Sequence, residues 1–336
     1  MSTLTNILAA GLVALAPSIT YAAEDAWVAD FDQAVELAKA EGKDLLVDFT
    51  GSDWCGWCIK LHEEVFQHDE FLTPAQKDFV LVALDFPNSE EVKAKVPNPE
   101  RNDELQEKYG IRGFPTCLLM NTDGVVFGRM GYQEGGPEKY VADMREATTK
   151  GKQLLVELER LQADYDVAKD KGPVLGRAIA MLADMGSESP GISIVAGMAT
   201  EALALDPENR AGLKLSAIKA LLSAGQANDD VMTEARGMDA DNAQGLLEQV
   251  VEAQFGKVRD DASAKAAITE IQALMDLGRY HEAGTVKRMA AMAAMWSEGP
   301  LGDHDQAVAL ATRANGIDAE LDEGLQGMLD GLLEQE

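Results

Sequence analysis

The cysteine pair in Trp54-Cys55-Gly56-Trp57-Cys58 is the part of this sequence whose residue types and spacing most directly support chemistry. Two thiols three positions apart can form and break a disulfide with each other. A helix that begins at the first thiol would offer it free backbone N–H groups and a positive partial charge, both of which favour the thiolate. The sequence therefore predicts a reactive dithiol, and the alternative is an inert structural disulfide.

The segments on either side predict that this dithiol lies where a strand meets a helix. Residues 45–49 form an apolar run typical of a buried strand, and residues 59–66 carry apolar side chains at helical spacing. Cys55, at the helix start, is the predicted nucleophile and the more exposed thiol. Cys58, one turn further on, is the predicted resolving thiol, which attacks the mixed disulfide and releases the reduced partner.

The other chemistry that these side chains could support is metal binding, because His62 follows the two thiols at helical spacing. A closed zinc site needs four ligands, and no second Cys/His cluster follows in the sequence. An open copper site is the remaining alternative, and we predict no bound metal and no cofactor. Cys117, the third cysteine, is expected to be buried as a small apolar side chain, with a third redox thiol as the alternative.

The region around the dithiol, residues 24–150, alternates between helical and strand patterns. Helices are predicted at 31–40, 103–109 and from Pro137 to about 147, and strands at 45–49, 79–84, 116–120 and 125–130. Residues 87–100 contain three prolines among charged residues and predict a surface insertion. The pattern indicates an α/β unit.

Several segments of this region resemble the thioredoxin fold. They are Val47-Asp48-Phe49, the dithiol motif at 54–58, Lys-Tyr-Gly-Ile-Arg-Gly-Phe-Pro-Thr at 108–116, and Gly131-Tyr132. In detail, the region is similar to secreted thioredoxin-like proteins with a Gly-Ser-Asp-Trp-Cys-x-x-Cys motif. The resemblance implies a mixed sheet flanked by helices, protein thiol or disulfide substrates, and a separate redox partner that the sequence does not identify.

The resemblance also implies roles for side chains near the dithiol. Asp48 matches a buried acid that acts as general base for the resolving thiol, with its pKa raised by desolvation. This chain departs from the family by one extra residue between the acid and Cys55, and by an apolar residue near Leu81 where a lysine is common. Pro115 is expected to follow a cis peptide bond and to face the dithiol.

The predicted substrate-binding surface consists of the aromatic and turn residues around the two thiols. Its members are Trp54, Trp57, Phe114, Pro115 and Thr116. Trp57 stands where the family often has a proline, so the reduction potential of the family cannot be transferred to this chain.

Residues 151–336 contain no strand pattern and predict an all-α domain. Residues 204–209 recur as 237–242, and residues 277–283 are echoed by 302–307. Both pairs are similar to segments of tetratricopeptide repeats, whose period is about 34 residues. We predict an array of helical hairpins that serves as a docking surface for proteins. The alternative is an irregular helical bundle.

Residues 1–22 resemble an export signal. The apolar run 7–16 ends at Pro17, and Thr20-Tyr21-Ala22 places small residues before a cleavage site. The departure is the absence of Lys and Arg before the apolar run, and a short membrane anchor is the alternative. We expect an exported protein in the periplasm or outside the cell.

The net charge of −29 argues against nucleic-acid binding, because no basic stripe is present to neutralise phosphates. Three function classes remain. The first is an exported thiol–disulfide oxidoreductase with a docking domain, which the dithiol together with Pro115 favours. The second is a helical-repeat scaffold with a redox-sensitive domain, and the third is a copper carrier.

Overall fold

The computed structural model describes residues 26–334. The chain divides into two compact units, with the boundary between Lys150 and Gly151. The predicted export signal, residues 1–22, lies outside the described residues.

The first unit is built on a five-stranded mixed sheet. The strands are β1 (Trp27–Val28), β2 (Asp44–Thr50), β3 (Phe79–Asp85), β4 (Thr116–Met120) and β5 (Val126–Met130), in the spatial order β1-β3-β2-β4-β5. The pairs β1–β3 and β3–β2 are parallel, whereas β2–β4 and β4–β5 are antiparallel. β2 and β3 are the apolar runs that the sequence predicts as strands. Residues of both strands are buried along most of their length, which explains their apolar composition.

The helices of this unit are α1 (Phe31–Glu41), α2 (Gly56–Leu61), α3 (Asp69–Asp78), α4 (Glu90–Lys93), α5 (Pro99–Lys108) and the first part of α6 (Gly136–Val167). α1 and α3 pack on the strands of the sheet. A π-helical turn, His62–Phe66, continues α2. The Asp30 carboxylate caps α1 by accepting a hydrogen bond from the Gln33 backbone, and Gly42 ends it with a φ of 65°.

Two helix boundaries differ from the sequence prediction by more than one residue. α5 begins at Pro99 rather than at residue 103, because proline is well accommodated in a first helical turn. α6 continues to Val167 rather than ending near residue 147. No proline interrupts residues 148–167, and Leu154, Leu158 and Leu161 keep the helical apolar spacing.

The second unit consists of helices, and residues 151–334 contain no strand. After the end of α6 they are α7 (Gly172–Asp184), α8 (Ile192–Leu205), α9 (Leu213–Ser223), α10 (Asp229–Met238), α11 (Leu246–Gly256), α12 (Asp261–Leu277), α13 (Ala283–Glu298), α14 (His304–Asn315) and α15 (Glu323–Leu333). Helices that follow one another in the chain pack together, as α7 does on α8 and α13 on α14. An α/β unit followed by an all-α region confirms the predicted fold class.

Two loops of the helical unit, which are 33 positions apart in the sequence, fold alike around a buried aspartate. The Asp206 carboxylate accepts hydrogen bonds of 2.7–3.0 Å from three backbone N–H groups, those of Arg210, Ala211 and Leu213. The Asp239 carboxylate accepts hydrogen bonds of 2.9–3.1 Å from two, those of Gln244 and Leu246. Each carboxylate therefore holds the start of the next helix.

The backbone conformation of the two loops repeats as well. Asn209 and Asn242 both have a φ of 53°, a left-handed value that asparagine tolerates better than most residues. Gly212 and Gly245, the N-cap residues of α9 and α11, have φ values of 77° and 76°. The sequence repeat at these positions thus corresponds to a repeated loop structure.

Candidate active site

Cys55 and Cys58 form a disulfide at the start of α2. Cys55 is the N-cap residue of this helix, and its Sγ accepts a hydrogen bond of 3.2 Å from the backbone N–H of Cys58. A thiolate at Cys55 would accept the same bond, which stabilises the charged form. The two residues expose 6% and 4% of their surfaces, so exposure distinguishes them less than the sequence predicts, whereas the N-cap position does distinguish them.

The loop that leads into the dithiol is held by hydrogen bonds to the end of β3 and to the residues that follow it. Ser52 donates hydrogen bonds from its backbone N–H and its hydroxyl to the Asp85 carboxylate, at 2.9 and 2.6 Å. The Asp53 carboxylate accepts hydrogen bonds from the backbone N–H groups of Asn88 and Ser89, at 2.9 and 2.7 Å. These two bonds lower the pKa of Asp53.

The exposed ring of Trp54 lies beside the loop that leads to Cys55. Its indole Nε1–H donates a 2.7 Å hydrogen bond to the Phe86 carbonyl, and its ring lies edge-on to Phe114 with centroids 5.7 Å apart. The indole lies directly on the backbone of Gly51, where an added Cβ would come within 2.6 Å of the ring. A side chain at position 51 would therefore displace the Trp54 ring. Trp54 leaves 46% of its surface exposed.

Trp57 lies between the two cysteines in the sequence, and 57% of its surface is exposed. Its ring lies 5.1 Å from that of Tyr132, and the Lys60 ammonium group lies over both rings, at 5.3 and 4.8 Å. The Tyr132 hydroxyl donates a 2.7 Å hydrogen bond to Glu64. The sequence does not predict a role for Lys60 and Glu64, because their contacts with Tyr132 form only in the folded chain.

The turn before β4 lies at the same edge of the sheet as the dithiol loop. The Phe114–Pro115 peptide bond is cis, and Thr116, the next residue, is paired with Phe49 near the end of β2. The ring contact between Phe114 and Trp54 joins this turn to the loop that carries Cys55. The predicted substrate-binding residues are thus brought to one region of the surface.

Asp48 lies in the middle of β2 with only 6% of its surface exposed. Burial raises the pKa of Asp48 to about 7, a hydrogen bond from the Cys117 thiol opposes this rise, and the negative charge of Asp85 adds to it. The residue opposite Asp48 on β3 is Ala83, whereas Leu81 is opposite Leu46. Both positions carry apolar residues, so β3 places no lysine directly opposite Asp48.

Cys117 is a free and buried thiol, which confirms that part of the sequence prediction. Its Sγ donates a hydrogen bond to Asp48 Oδ1 at 3.4 Å, a contact that the sequence does not reveal. Burial, and then the charge of Asp48, raises the pKa of Cys117 well above its usual value. The hydroxyl of Tyr140 is buried without a well-formed hydrogen bond. Its pKa is raised, mainly by burial and secondly by its interaction with Cys117.

Across residues 26–334, no group of three or more His, Cys, Asp or Glu side chains is arranged to hold a metal ion. In the same part of the chain, no helix is both long and apolar enough to cross a bilayer.

Comparison with known proteins gives relatives that share this site region. The sequence profile of a family described as thioredoxin-like domain matches residues 31–148. Disulfide bond reductase DsbH of Chlamydia pneumoniae is 35% identical over 119 residues, which cover 35% of this chain and 69% of that relative. Thioredoxin-related protein DsbJ of the same organism is 30% identical over 136 residues, which cover 38% of this chain and 37% of that relative.

Among solved structures, a DsbH oxidoreductase matches with 30% sequence identity and a TM-score of 0.33, covering 44% of this chain and 95% of that chain. The family profile and the similarity to DsbH agree with the mixed sheet and the Cys55–Cys58 disulfide described above. The chain therefore belongs to the thioredoxin-like family of thiol–disulfide oxidoreductases.

Proposed function

We propose that this chain is an exported disulfide reductase that acts on protein substrates through Cys55 and Cys58. The observation that carries the proposal is the position of Cys55 at the N-cap of α2, where its sulfur accepts the Cys58 N–H hydrogen bond. The reductive direction is supported by the similarity to DsbH, which is named a disulfide bond reductase.

In the proposed reaction, the reduced enzyme starts with a Cys55 thiolate and a Cys58 thiol. The thiolate attacks one sulfur of a substrate disulfide, forms a mixed disulfide and releases the other substrate sulfur as a thiolate. Cys58 then loses its proton and attacks the Cys55 sulfur, which releases the second substrate thiolate. Two electrons pass to the substrate, and a dithiol redox partner returns the Cys55–Cys58 disulfide to the reduced form.

Asp48 is the proposed acceptor of the Cys58 proton. A pKa of about 7 allows a carboxyl group to take up and release a proton near neutral pH. Trp54, Trp57, Phe114, Pro115 and Thr116 form the proposed substrate-binding surface. The exposed indole rings offer apolar area to an extended substrate chain.

Residues 24–150 form the proposed catalytic domain, and residues 151–336 the proposed docking domain. The two like loops at Asp206 and Asp239 support an array of repeated helical units. Such arrays present an extended surface to protein partners.

Insulin reduction by the wild type and by Cys55→Ser and Cys58→Ser tests the enzyme proposal. We expect both variants to lose nearly all turnover, because each lacks one of the two thiols. The Cys58→Ser variant should also accumulate a mixed disulfide with the substrate, because its resolving thiol is absent. Equal turnover in all three proteins would instead support the scaffold hypothesis.

The reductive direction is tested by equilibrating the dithiol with glutathione of known redox ratio. A potential near that of thioredoxin, about −270 mV, would support the reductase proposal, whereas one near −120 mV would identify an oxidant. A titration of the reduced protein with Cu(I) checks the copper-carrier alternative. We expect no binding that survives competition by a small thiol.

The docking proposal is tested by comparing the full chain with a chain that ends at Val167. Loss of the later helices should raise KM for a protein substrate and leave the rate with a small aromatic disulfide unchanged. Equal KM values would contradict the docking role. Export is tested by fractionating cells that express the full chain and measuring the mass of the secreted product, which should lack residues 1–22.

A further inference from the structure

The thiol of Cys117 and the carboxyl group of Asp48 lie side by side across two neighbouring strands. The two residues are directly paired in the antiparallel β2–β4 register, so their side chains lie on the same face of the sheet. The Cys117 Sγ lies 3.4 Å from Asp48 Oδ1, and both residues are buried. β4 thus contributes a hydrogen-bond donor to the acid that the proposed mechanism uses.

The other groups that face this pair do not offer the carboxylate a positive charge. Asp85 comes from β3 and carries a negative charge of its own, and Tyr140 comes from α6 with a neutral hydroxyl. The dithiol on α2 is the group with which Asp48 exchanges its proton in the proposed function. The Cys117 thiol is therefore the side-chain donor that stabilises the charged form of Asp48.

We propose that Cys117 is a positioning residue, whose thiol orients the Asp48 carboxylate and stabilises it as the acceptor of the Cys58 proton. This inference rests on the proposed function, in which Asp48 is that acceptor. In the step concerned, the proton of the Cys58 thiol moves to Asp48. The resulting Cys58 thiolate attacks the Cys55 sulfur, and the substrate thiolate leaves. Asp48 afterwards returns the proton to solvent.

A thiol suits this role because it donates only weakly. Cys117 remains protonated and can donate over the whole working pH range, since burial holds its pKa well above the usual value. A stronger donor would hold the Asp48 carboxylate charged and make it a poorer base. A side chain without a donor would leave the buried charge without its partner and make Asp48 harder to ionise.

The test measures the pH dependence of mixed-disulfide resolution in the full chain, and the Asp48 carboxyl titration by ¹³C NMR. The proteins are the wild type, Cys117→Val, Cys117→Ser, Asp48→Asn and the double variant Cys117→Val/Asp48→Asn. Valine keeps a buried apolar side chain without a donor, and serine keeps a donor. Near-ultraviolet circular dichroism of each variant checks that the packing around the sheet is intact.

We expect Cys117→Val to raise the Asp48 pKa and the midpoint of the resolution profile by about half to one pH unit, the size of one hydrogen bond. Cys117→Ser should return both values to the wild-type position or below it. In the Asp48→Asn background, Cys117→Val should cause no further shift.

Two results would overturn the inference in distinguishable ways. If Asp48→Asn changes the profile and Cys117→Val changes neither the profile nor the NMR titration, Cys117 serves packing alone. If Asp48→Asn leaves the profile unchanged, Asp48 is not the proton acceptor, and that part of the proposed function falls together with the role of Cys117.

Discussion

Two buried carboxyl groups, one in each unit of the molecule, have nearly the same exposure and opposite pKa shifts. Asp48 in the sheet and Asp206 in the helical unit expose 6% and 7% of their surfaces. Burial raises the pKa of Asp48 to about 7, because one thiol donor opposes it only weakly. The carboxyl group in the sheet is therefore able to take up a proton near neutral pH.

Burial also acts against the charge on Asp206, but there hydrogen bonding outweighs it. The backbone N–H groups of Ala211, Leu213 and Arg210 all donate to this carboxylate and lower its pKa. At Asp206 the backbone donors outweigh the effect of burial, whereas at Asp48 burial outweighs the one thiol donor. Asp206 serves as a permanent cap, whereas Asp48 is free to exchange a proton.

The largest expected effect comes from replacing Asp48. The native state binds this proton up to about pH 7 and the unfolded state only to about pH 4, so stability falls as pH rises between these values. The loss is on the order of 4 kcal/mol. We expect Asp48→Asn to remove this pH dependence and to be more stable than wild type at pH 8.

Urea unfolding at pH 5 and pH 8 measures this effect and should show about 3 kcal/mol of it, because the rest of the change falls below pH 5. In a Trp296→Phe background, the remaining tryptophans all lie in the sheet-containing unit and report its unfolding alone. Asp123→Asn, in the exposed turn after β4, is the control and should keep the wild-type pH dependence. Equal wild-type stability at the two pH values would contradict the raised pKa of Asp48.

A change of opposite sign is expected at Asp239. Asp239→Ala leaves the backbone N–H groups of Gln244 and Leu246 without an acceptor, at a cost of about 2–4 kcal/mol. Hydrogen exchange in peptides covering residues 239–256 should become faster. Asp239→Asn keeps one acceptor oxygen and should lose less. Exchange at the wild-type rate in the alanine variant would show that the carboxylate does not hold this loop.

Replacing Gly212 or Gly245, which cap α9 and α11, by alanine should lower the free energy of unfolding by about 1 kcal/mol. Their φ values of 77° and 76° are left-handed, and alanine is strained there. Gly245→Ala should cost more than Gly212→Ala, since its Cβ would lie 3.3 Å from the His281 ring. Gly197→Ala, on the exposed face of α8, is the matched control. For Gly197→Ala, thermal unfolding should show a gain in stability of about 0.5–1 kcal/mol. A gain at all three glycines would contradict the loop conformations.

The smallest effect is expected at an exposed ion pair beside one of these loops. Arg279 lies 2.9 Å from Asp241, and the two side chains expose 53% and 71% of their surfaces. Arg279→Gln should change stability by less than about 0.5 kcal/mol, because water and salt screen the pair. Thermal unfolding of both variants measures this difference. A loss as large as that of Asp239→Ala would mean that exposed charges, rather than buried carboxylates, hold the loop.

The parts of the fold that the sequence predicts well are those with a strong local signal. β4 has the predicted bounds, β3 and β5 differ from them by one residue at one end, and β2 is longer by one residue at each end. Their apolar runs are bounded by polar or glycine residues, which makes the ends visible. α3 escaped prediction, and Pro74 within it is a residue that normally argues against a helix.

The candidate site likewise contains residues that the sequence predicts and contacts that it does not. Cys55, Cys58 and Pro115 are visible because each belongs to a short motif that survives in one stretch of sequence. The contact between Asp48 and Cys117 joins residues 69 positions apart and exists only because β2 and β4 align in one register. No local pattern sets that register, so the hydrogen bond could be found only in the folded chain. The same holds for Lys60 above the rings of Trp57 and Tyr132.

The loop before Cys55 is held by contacts that do not depend on the disulfide. Its hydrogen bonds to Asp85, Asn88 and Ser89 involve no sulfur atom, so none of them has to break when the disulfide opens. In the proposed function, a substrate that contacts Trp54 and Trp57 would then meet a loop held by the same bonds before and after the reaction. Discrimination between the two oxidation states therefore falls to the sulfur atoms themselves.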